Sequence, residues 1–247
     1  MPKERAARKP KRRLQYGEAH ERIVEAAAEL FANKGYDAVS FRDLAGAAGV
    51  SLSAINYHFG SKLALFSEVF LRRAAPMTSR RLELLDAAIR YGGHPLPLES
   101  ILDAFLRPAF EVTHGDRNDL FNRLRARVAM EQGATTRKIV SQAFDENDFR
   151  FISELSATLP HLTEEDLHWR FHFLVGAMLY TMSDSGQLEG LSGGRCTTAE
   201  TALALATMTK TFAAVFQAPS IAPHGKHLAA PVGKRASHAP AAAAHAR

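Results

Sequence analysis

The chain has 247 residues, 46% of them hydrophobic and 23% charged, a composition that supplies a sizeable core and excludes a disordered or fibrous protein. Its single cysteine, Cys196, excludes an internal disulfide framework and a thiolate zinc cluster and fits a reducing cytoplasm. The net charge of +5 is unevenly spread, with 15 Lys and Arg against 8 Asp and Glu in residues 1–81, 12 against 18 in residues 82–218, and 4 against none in residues 219–247, the asymmetry of a chain whose first third faces a polyanion.

Residues 1–15 hold seven basic groups and one acid, Glu4, with too few apolar side chains to pack, and read as a disordered basic arm. No apolar run follows this basic start, because Glu18, Glu21, Arg22 and Glu25 interrupt it, so no secretory signal is expected. From about His20, the apolar residues Ile23, Val24, Ala27, Leu30 and Phe31 recur at helical spacing, and Gly35 follows as a cap. Ser40 with Asp43 predicts a capping-box start for a short second helix that runs to Ala48 and stops at Gly49. Ser51 then caps a third helix, with Ile55 and Phe59 on its apolar face. Two short helices around a Gly-containing turn form a helix-turn-helix.

A longer helix is predicted from about Ser61, buried through Leu65, Phe66, Val69 and Phe70 and ended or bent by Pro76. Further helices are expected over 77–91, 98–113, 117–131, 135–158, 163–182 and 197–216, with no strand signal between them. The uncharged stretches 171–183 and 211–225 are shorter than the ~18 apolar residues a membrane helix needs. The last 29 residues, with ten Ala, four Pro and four His, read as a disordered tail. The fold class is therefore all-α.

Between Arg22 and Leu65 the chain resembles the TetR family of bacterial transcription regulators. The matching residues are Ile23, Ala26, Ala27, Leu30, Phe31 and Gly35; then Ser40, Leu44, Ala45, Ala48, Gly49, Val50 and Ser51; then Ile55, His58, Phe59, Lys62 and Leu65. The resemblance implies an N-terminal three-helix DNA-binding domain with a connecting helix over 16–75. It also implies a C-terminal helical ligand-binding and dimerisation domain over 76–218, working as a cytoplasmic homodimer on a palindromic double-stranded operator. The dimer stripes expected from spacing are Leu167, Phe171, Leu174, Val175, Met178 and Met182 beside Gly176 and Ala177, and Leu203, Leu205, Met208, Phe212 and Val215. Either stripe can instead bury within its own domain.

The N-terminus of a short helix bearing small polar residues can enter a major groove. Leu52, Ser53 and Ala54 are placed to meet bases, and Arg42 is the candidate for guanine readout or a phosphate contact. The family pattern suggests phosphate contacts for Ser40, His58 and Lys62, with Ser51 and Tyr57 beside them. Most relatives place tyrosine one position earlier, where this chain has Asn56, so Asn56 is open between a DNA contact and bracing its own helix. On this reading Lys62→Ala lowers the salt slope of binding by about one unit.

The second domain is less legible. Phe110, Phe121 and Phe173, with Arg123 or Arg127 as a cationic anchor, are candidates to line an effector pocket, although aromatic residues at helical spacing are more often core. The run Asn56 to Lys62 followed by Arg80 to Asp86 resembles the fatty-acid-responsive PsrA-type members, which implies an acyl effector and a repressor. A drug-responsive efflux repressor and a ligand-independent DNA-binding protein stay open as alternatives. No enzyme, cofactor or metal is expected: His168 and His172 lie four residues apart, but no HExxH pattern or third ligand accompanies them.

Overall fold

The computed structural model describes residues 16–111, 117–131, 133–183 and 186–220, and all of its regular elements are helices. The expected basic arm and nearly all of the expected tail lie outside the described residues.

Helix α1, Tyr16–Lys34, has Glu18 in its first turn and Lys34 in its last, and ends where Gly35 adopts a left-handed φ of 85°. Helix α2, Phe41–Ala48, starts in the predicted capping box and ends at left-handed Gly49, whose missing side chain leaves room for the guanidinium of Arg22. Helix α3, Leu52–Phe59, is capped by Ser51 and buries Ile55 and Phe59. Ile23, Ala27 and Phe31 of α1 bury with Leu44, Ile55, Phe66 and Phe70 in one core. A Phe of this kind contributes roughly 1.5–3 kcal/mol by leaving water.

Helix α4, Lys62–Gly92, continues through Pro76, so the proline does not end the helix, one of the two outcomes expected of it. Pro76 and Arg72, one turn earlier, are both exposed, so the carbonyl that the proline leaves without a donor faces water. The expected boundary at residue 75 thus falls inside a helix, and 77–91 is its second half.

The remaining elements are α5 (Leu98–Phe110), α6 (Arg117–Met130), α7 (Ala134–Thr158), α8 (Glu164–Met182), α9 (Gln187–Ser192) and α10 (Thr201–Gln217). Helix α5 ends earlier than expected, α10 starts later, and α9 has no counterpart in the sequence reading. Helix α5 packs against α4, α7, α8 and α10, while α6 lies between α1 and α8. Thr163 and Asp166 form a capping box at the start of α8, and Arg170 closes the end of α10 by donating to the carbonyls of Val215, Phe216 and Ala218 at 2.8–2.9 Å.

The core does not divide between α1–α3 and the helices that follow. Ring centroids step from Phe31 to Phe66 (5.2 Å), on to Phe70 (5.8 Å), and then to Phe121 (5.6 Å) and Phe144 (6.2 Å), linking α1 through α4 to α6 and α7.

Candidate nucleic-acid interface

Local capping sets the geometry of the reading head. The Asp43 amide donates to Ser40 Oγ at 3.2 Å and the Ser40 amide donates to the Asp43 carboxylate at 2.9 Å. The bonds from the Ser40 hydroxyl and backbone hold the Asp43 carboxyl below its usual range. In α3, Ser51 Oγ accepts from the Ala54 amide at 3.2 Å and lies 2.9 Å from Ser53 Oγ. These bonds consume side-chain capacity at the very N-terminus proposed to approach DNA, and they fix its entry angle.

Ser40, Arg42, Ser51, Leu52, Ser53, Asn56 and Tyr57 are all exposed, with Tyr57 at 77%, and Ala54 is half-buried behind them. The head therefore presents most of the expected DNA-facing residues to solvent. Asn56 Nδ2 donates to the Leu52 carbonyl at 3.2 Å, one turn back in its own helix, which is the bracing arrangement. His58 is half-buried in a ring cluster, its centroid 5.8 Å from His20 and 5.6 Å from Tyr57. His20 in turn stacks on Phe59 at 4.8 Å and lies 3.2 Å from a Glu68 oxygen.

Lys62 is placed differently from the expectation. Its ammonium donates to the carbonyls of Tyr36, Asp37 and Val39 at 2.9, 3.3 and 3.1 Å and sits 4.4 Å over the Tyr36 ring. An ammonium has three N–H donors, and all three point at the loop that delivers Ser40.

The five candidate effector residues are divided between buried and exposed positions. Phe110 and Phe121 are buried in the core and Phe173 is 54% exposed. Arg123 and Arg127 turn outward to α1: Arg123 Nη1 donates to Asn33 Oδ1 at 3.2 Å and Arg127 Nη2 to the Asn33 carbonyl at 2.7 Å. Glu131, one turn further, accepts from the Tyr36 amide at 2.9 Å and its carboxylate oxygen fills the space where Gly35 lacks a side chain. One edge of α6 thus grips the end of α1 and the loop that precedes the helix-turn-helix. Two open grooves occur elsewhere, one of about 480 Å³ between α4 and α7 beside Leu63, Lys138 and Ile139, and one of about 440 Å³ beside Val128, Arg137 and Val140. None of the five candidates lines either groove.

Of the two alternatives left open for the α8 stripe, its large side chains follow burial within their own chain. Leu167, Phe171, Leu174 and Met178 are buried inside the chain, whereas Trp169, His172, Phe173, Gly176 and Tyr180 form the exposed face. On α10, Leu205 and Phe212 are likewise buried, while Leu203, Ala206, Lys210 and Ala214 are exposed. Both faces of α8 recur at helical spacing, and the stripe with more aliphatic mass went to the core while its neighbour was left outside. Among the described residues no cluster of three or more metal-ligating side chains occurs, and no helix is long and apolar enough to cross a membrane.

Residues 23–69 match the family model described as bacterial regulatory proteins, tetR family, and residues 103–214 match the tetracyclin repressor-like C-terminal domain. The HTH-type transcriptional regulator AcrR of Shigella flexneri is 34% identical over 107 residues, 43% of this chain and 46% of that protein, so the match spans about half the length of this curated relative. Solved structures similar in fold include the fatty acid degradation regulator FadR from Bacillus halodurans, with a TM-score of 0.57 at 14% identity over 78% of this chain and 94% of that one. Another is a transcriptional regulator from Saccharomonospora viridis in complex with choline, with a TM-score of 0.54 at 19% identity over 78% and 96%. The helix-turn-helix, the all-helical body behind it and both family matches agree, and the chain belongs to the TetR family of bacterial transcription regulators.

Proposed function

We propose that the protein is a homodimeric, effector-responsive repressor that binds a palindromic DNA operator through α2 and α3 and is released by an apolar, acyl-type small molecule. The observation that carries this reading is the grip of α6 on the head. Arg127 to Asn33 and Glu131 to Tyr36 tie a body helix to the loop that sets the helix-turn-helix, so any movement of α6 is passed to the reading surface. The continuous aromatic row from Phe144 to Phe31 supports the same linkage from inside.

On the DNA side, Leu52, Ser53 and Ala54 meet the bases, Arg42 reads a guanine edge, and Ser40, Ser51 and Tyr57 position the backbone. Asn56, His58 and Lys62 act from behind this face, by holding α3 and the Tyr36 to Val39 loop in place. Residues 16–75 form the reading head and 76–218 the body, with α4 shared between them. The exposed Trp169, Phe173 and Tyr180 face of α8, with exposed Leu203, Ala206 and Ala214 of α10, is the dimer surface, because contiguous exposed aromatics mark an association site. The acyl class draws support from the fatty acid degradation regulator FadR, which is similar in fold.

Footprinting of genomic fragments retained by the purified protein tests the reading. The expected result is an inverted repeat whose occupancy falls when palmitoyl-CoA or palmitate is added. A bound site without two-fold symmetry, or occupancy that neither compound changes, contradicts it.

A further inference from the structure

Among the described residues, the interior of the body holds more positive charge than it neutralises. Arg81 on α4 is fully buried and Arg125 on α6 is 5% exposed. Burial drives both guanidiniums below their usual range, Arg125 to about 10, and Arg81 is lowered further by the neighbouring charge of Arg125. The carboxylate that faces both is Asp148 on α7, itself pushed up by burial. Two cations and one carboxylate leave an uncompensated charge in a place where an unpaired charge is expensive.

The hydrogen bonding has the same imbalance. Arg81 Nε donates to the Phe105 carbonyl at 2.8 Å, but its Nη2 ends on Met178 Sδ at 3.4 Å. Arg125 Nη1 ends on Met77 Sδ at 3.7 Å, and Asn122 Nδ2, which also reaches the Ala109 carbonyl, ends on Met182 Sδ at 3.6 Å. Thioether sulfur is a weak acceptor, so three buried donors face the poorest partner a side chain offers. Arg81 Nη1 and Asp148 Oδ1 stand 3.9 Å apart, beyond hydrogen-bond reach, and neither they nor Asn147 Oδ1 has a hydrogen-bond partner among the described residues. The guanidiniums lie over aromatic faces, Arg81 at 3.7 Å from the Phe105 centroid and Arg125 at 4.0 Å from that of Phe144.

We infer that this donor-rich patch is the head-group site for a carboxylate-bearing effector, whose oxygens accept from Arg81 and Arg125 in place of the Met178 and Met77 sulfurs. The inference rests on the effector-responsive reading above and replaces Arg123 and Arg127 as its anchors. A single negative charge balances two arginines against Asp148, whereas a phosphate monoester of about −2 would overshoot. Unbranched methionine side chains are the core residues most able to move aside and make room for an apolar chain. Phe144 under Arg125 is also the last ring of the aromatic row to the head, which places the anion against the element that must respond.

The test uses the full chain with decanoate, decanol and decyltrimethylammonium, read by thermal melting, by equilibrium dialysis and by release of a bound DNA fragment. Decanoate is expected to raise the melting temperature while the other two leave it unchanged. In Arg81→Met and Arg125→Met the unliganded protein keeps or gains stability, because a buried charge becomes a packed apolar side chain, and decanoate affinity falls by roughly tenfold or more. Arg125→Lys, which keeps the charge, retains part of the binding. Absence of a decanoate shift, equal shifts with decanol, or undiminished decanoate binding in folded Arg81→Met and Arg125→Met overturns the inference. Release of DNA by decyltrimethylammonium alone overturns it while leaving the effector-responsive reading intact. Arginine-dependent decanoate binding without DNA release supports the anion site and contradicts that reading instead.

Discussion

The reading head and the body satisfy their polar groups by different means. In the head the bonds that shape α2 and α3 are local: Ser40 with Asp43, Ser51 with Ala54, Ser61 with Ala64, and Asn56 with Leu52 all span three or four residues. In the body the buried polar groups reach across the fold, as from Arg81 to Phe105, Asn147 to Thr78 and Arg170 to the end of α10. Helices capped by short-range bonds are specified turn by turn, and Lys62 adds the long-range tie that holds the preceding loop. A body built on long-range bonds is specified only when the helices meet, and it can be rearranged by a ligand that offers better partners.

The sharpest way to break this comparison is to cut the row of rings that joins the two regions. Phe66→Ala is expected to cost about 3–5 kcal/mol, as for a fully buried Phe, and head and body should still melt together because they share one core. Separate transitions in calorimetry would show that they are independent. On the outer face of α8, Trp169→Asp with Phe173→Asp is expected to weaken dimer assembly by roughly thirtyfold or more, as loss of an aromatic hot spot does. Light scattering across a dilution series reads that change, and an unmoved dimer would remove α8 from the interface.

Lys62→Met separates two roles for one residue. With all three N–H donors on the carbonyls of Tyr36, Asp37 and Val39, its loss is expected to cost about 1.5–3 kcal/mol of stability. The salt slope of DNA binding should stay unchanged. A slope lower by about one would restore the phosphate contact that the family pattern suggests. Ser51→Ala, which removes only the cap of α3, is expected to cost about 1 kcal/mol in chemical denaturation; a loss above twice that would mean that Ser51 does more than cap.

The smallest effect is in acid. Burial pushes Asp166 upward, but bonds from Ser220 and Thr163 outweigh it and hold the group below its ordinary value. A depressed folded value means stability that is present above the unfolded pKa of about 3.9 and is lost as pH falls through the folded value. The melting temperature should therefore drop below about pH 4, and Asp166→Asn should flatten that limb. An unchanged acid limb in the variant would assign it to other carboxylates.

This division also explains what could be read from the sequence. The Ser40 and Asp43 box, the Gly49 turn and the Ser51 cap are all local patterns and all stand as expected. Whether Pro76 would end α4 was not legible, because that depends on which side of the helix faces water, which one helix cannot specify alone. Lys62 and Arg127 carried charges that looked free, since their acceptors are backbone carbonyls 23 to 26 residues and 94 residues away. Arg81 did leave a trace, at a four-residue spacing between buried Met77 and Leu85, where a charge interrupts an apolar stripe. Only the folded chain shows that Arg125 and Asp148 meet it there.

The central claim is that the exposed face of α3 reads DNA while the body stays folded behind it. Fluorescence anisotropy of a footprinted duplex, comparing the wild type with Ser53→Glu, tests this most directly, since a carboxylate at that exposed position meets the phosphates and base edges without touching the core. The account predicts affinity lower by roughly a hundredfold with an unchanged melting temperature. Equal affinity of the two proteins for the same duplex would contradict it.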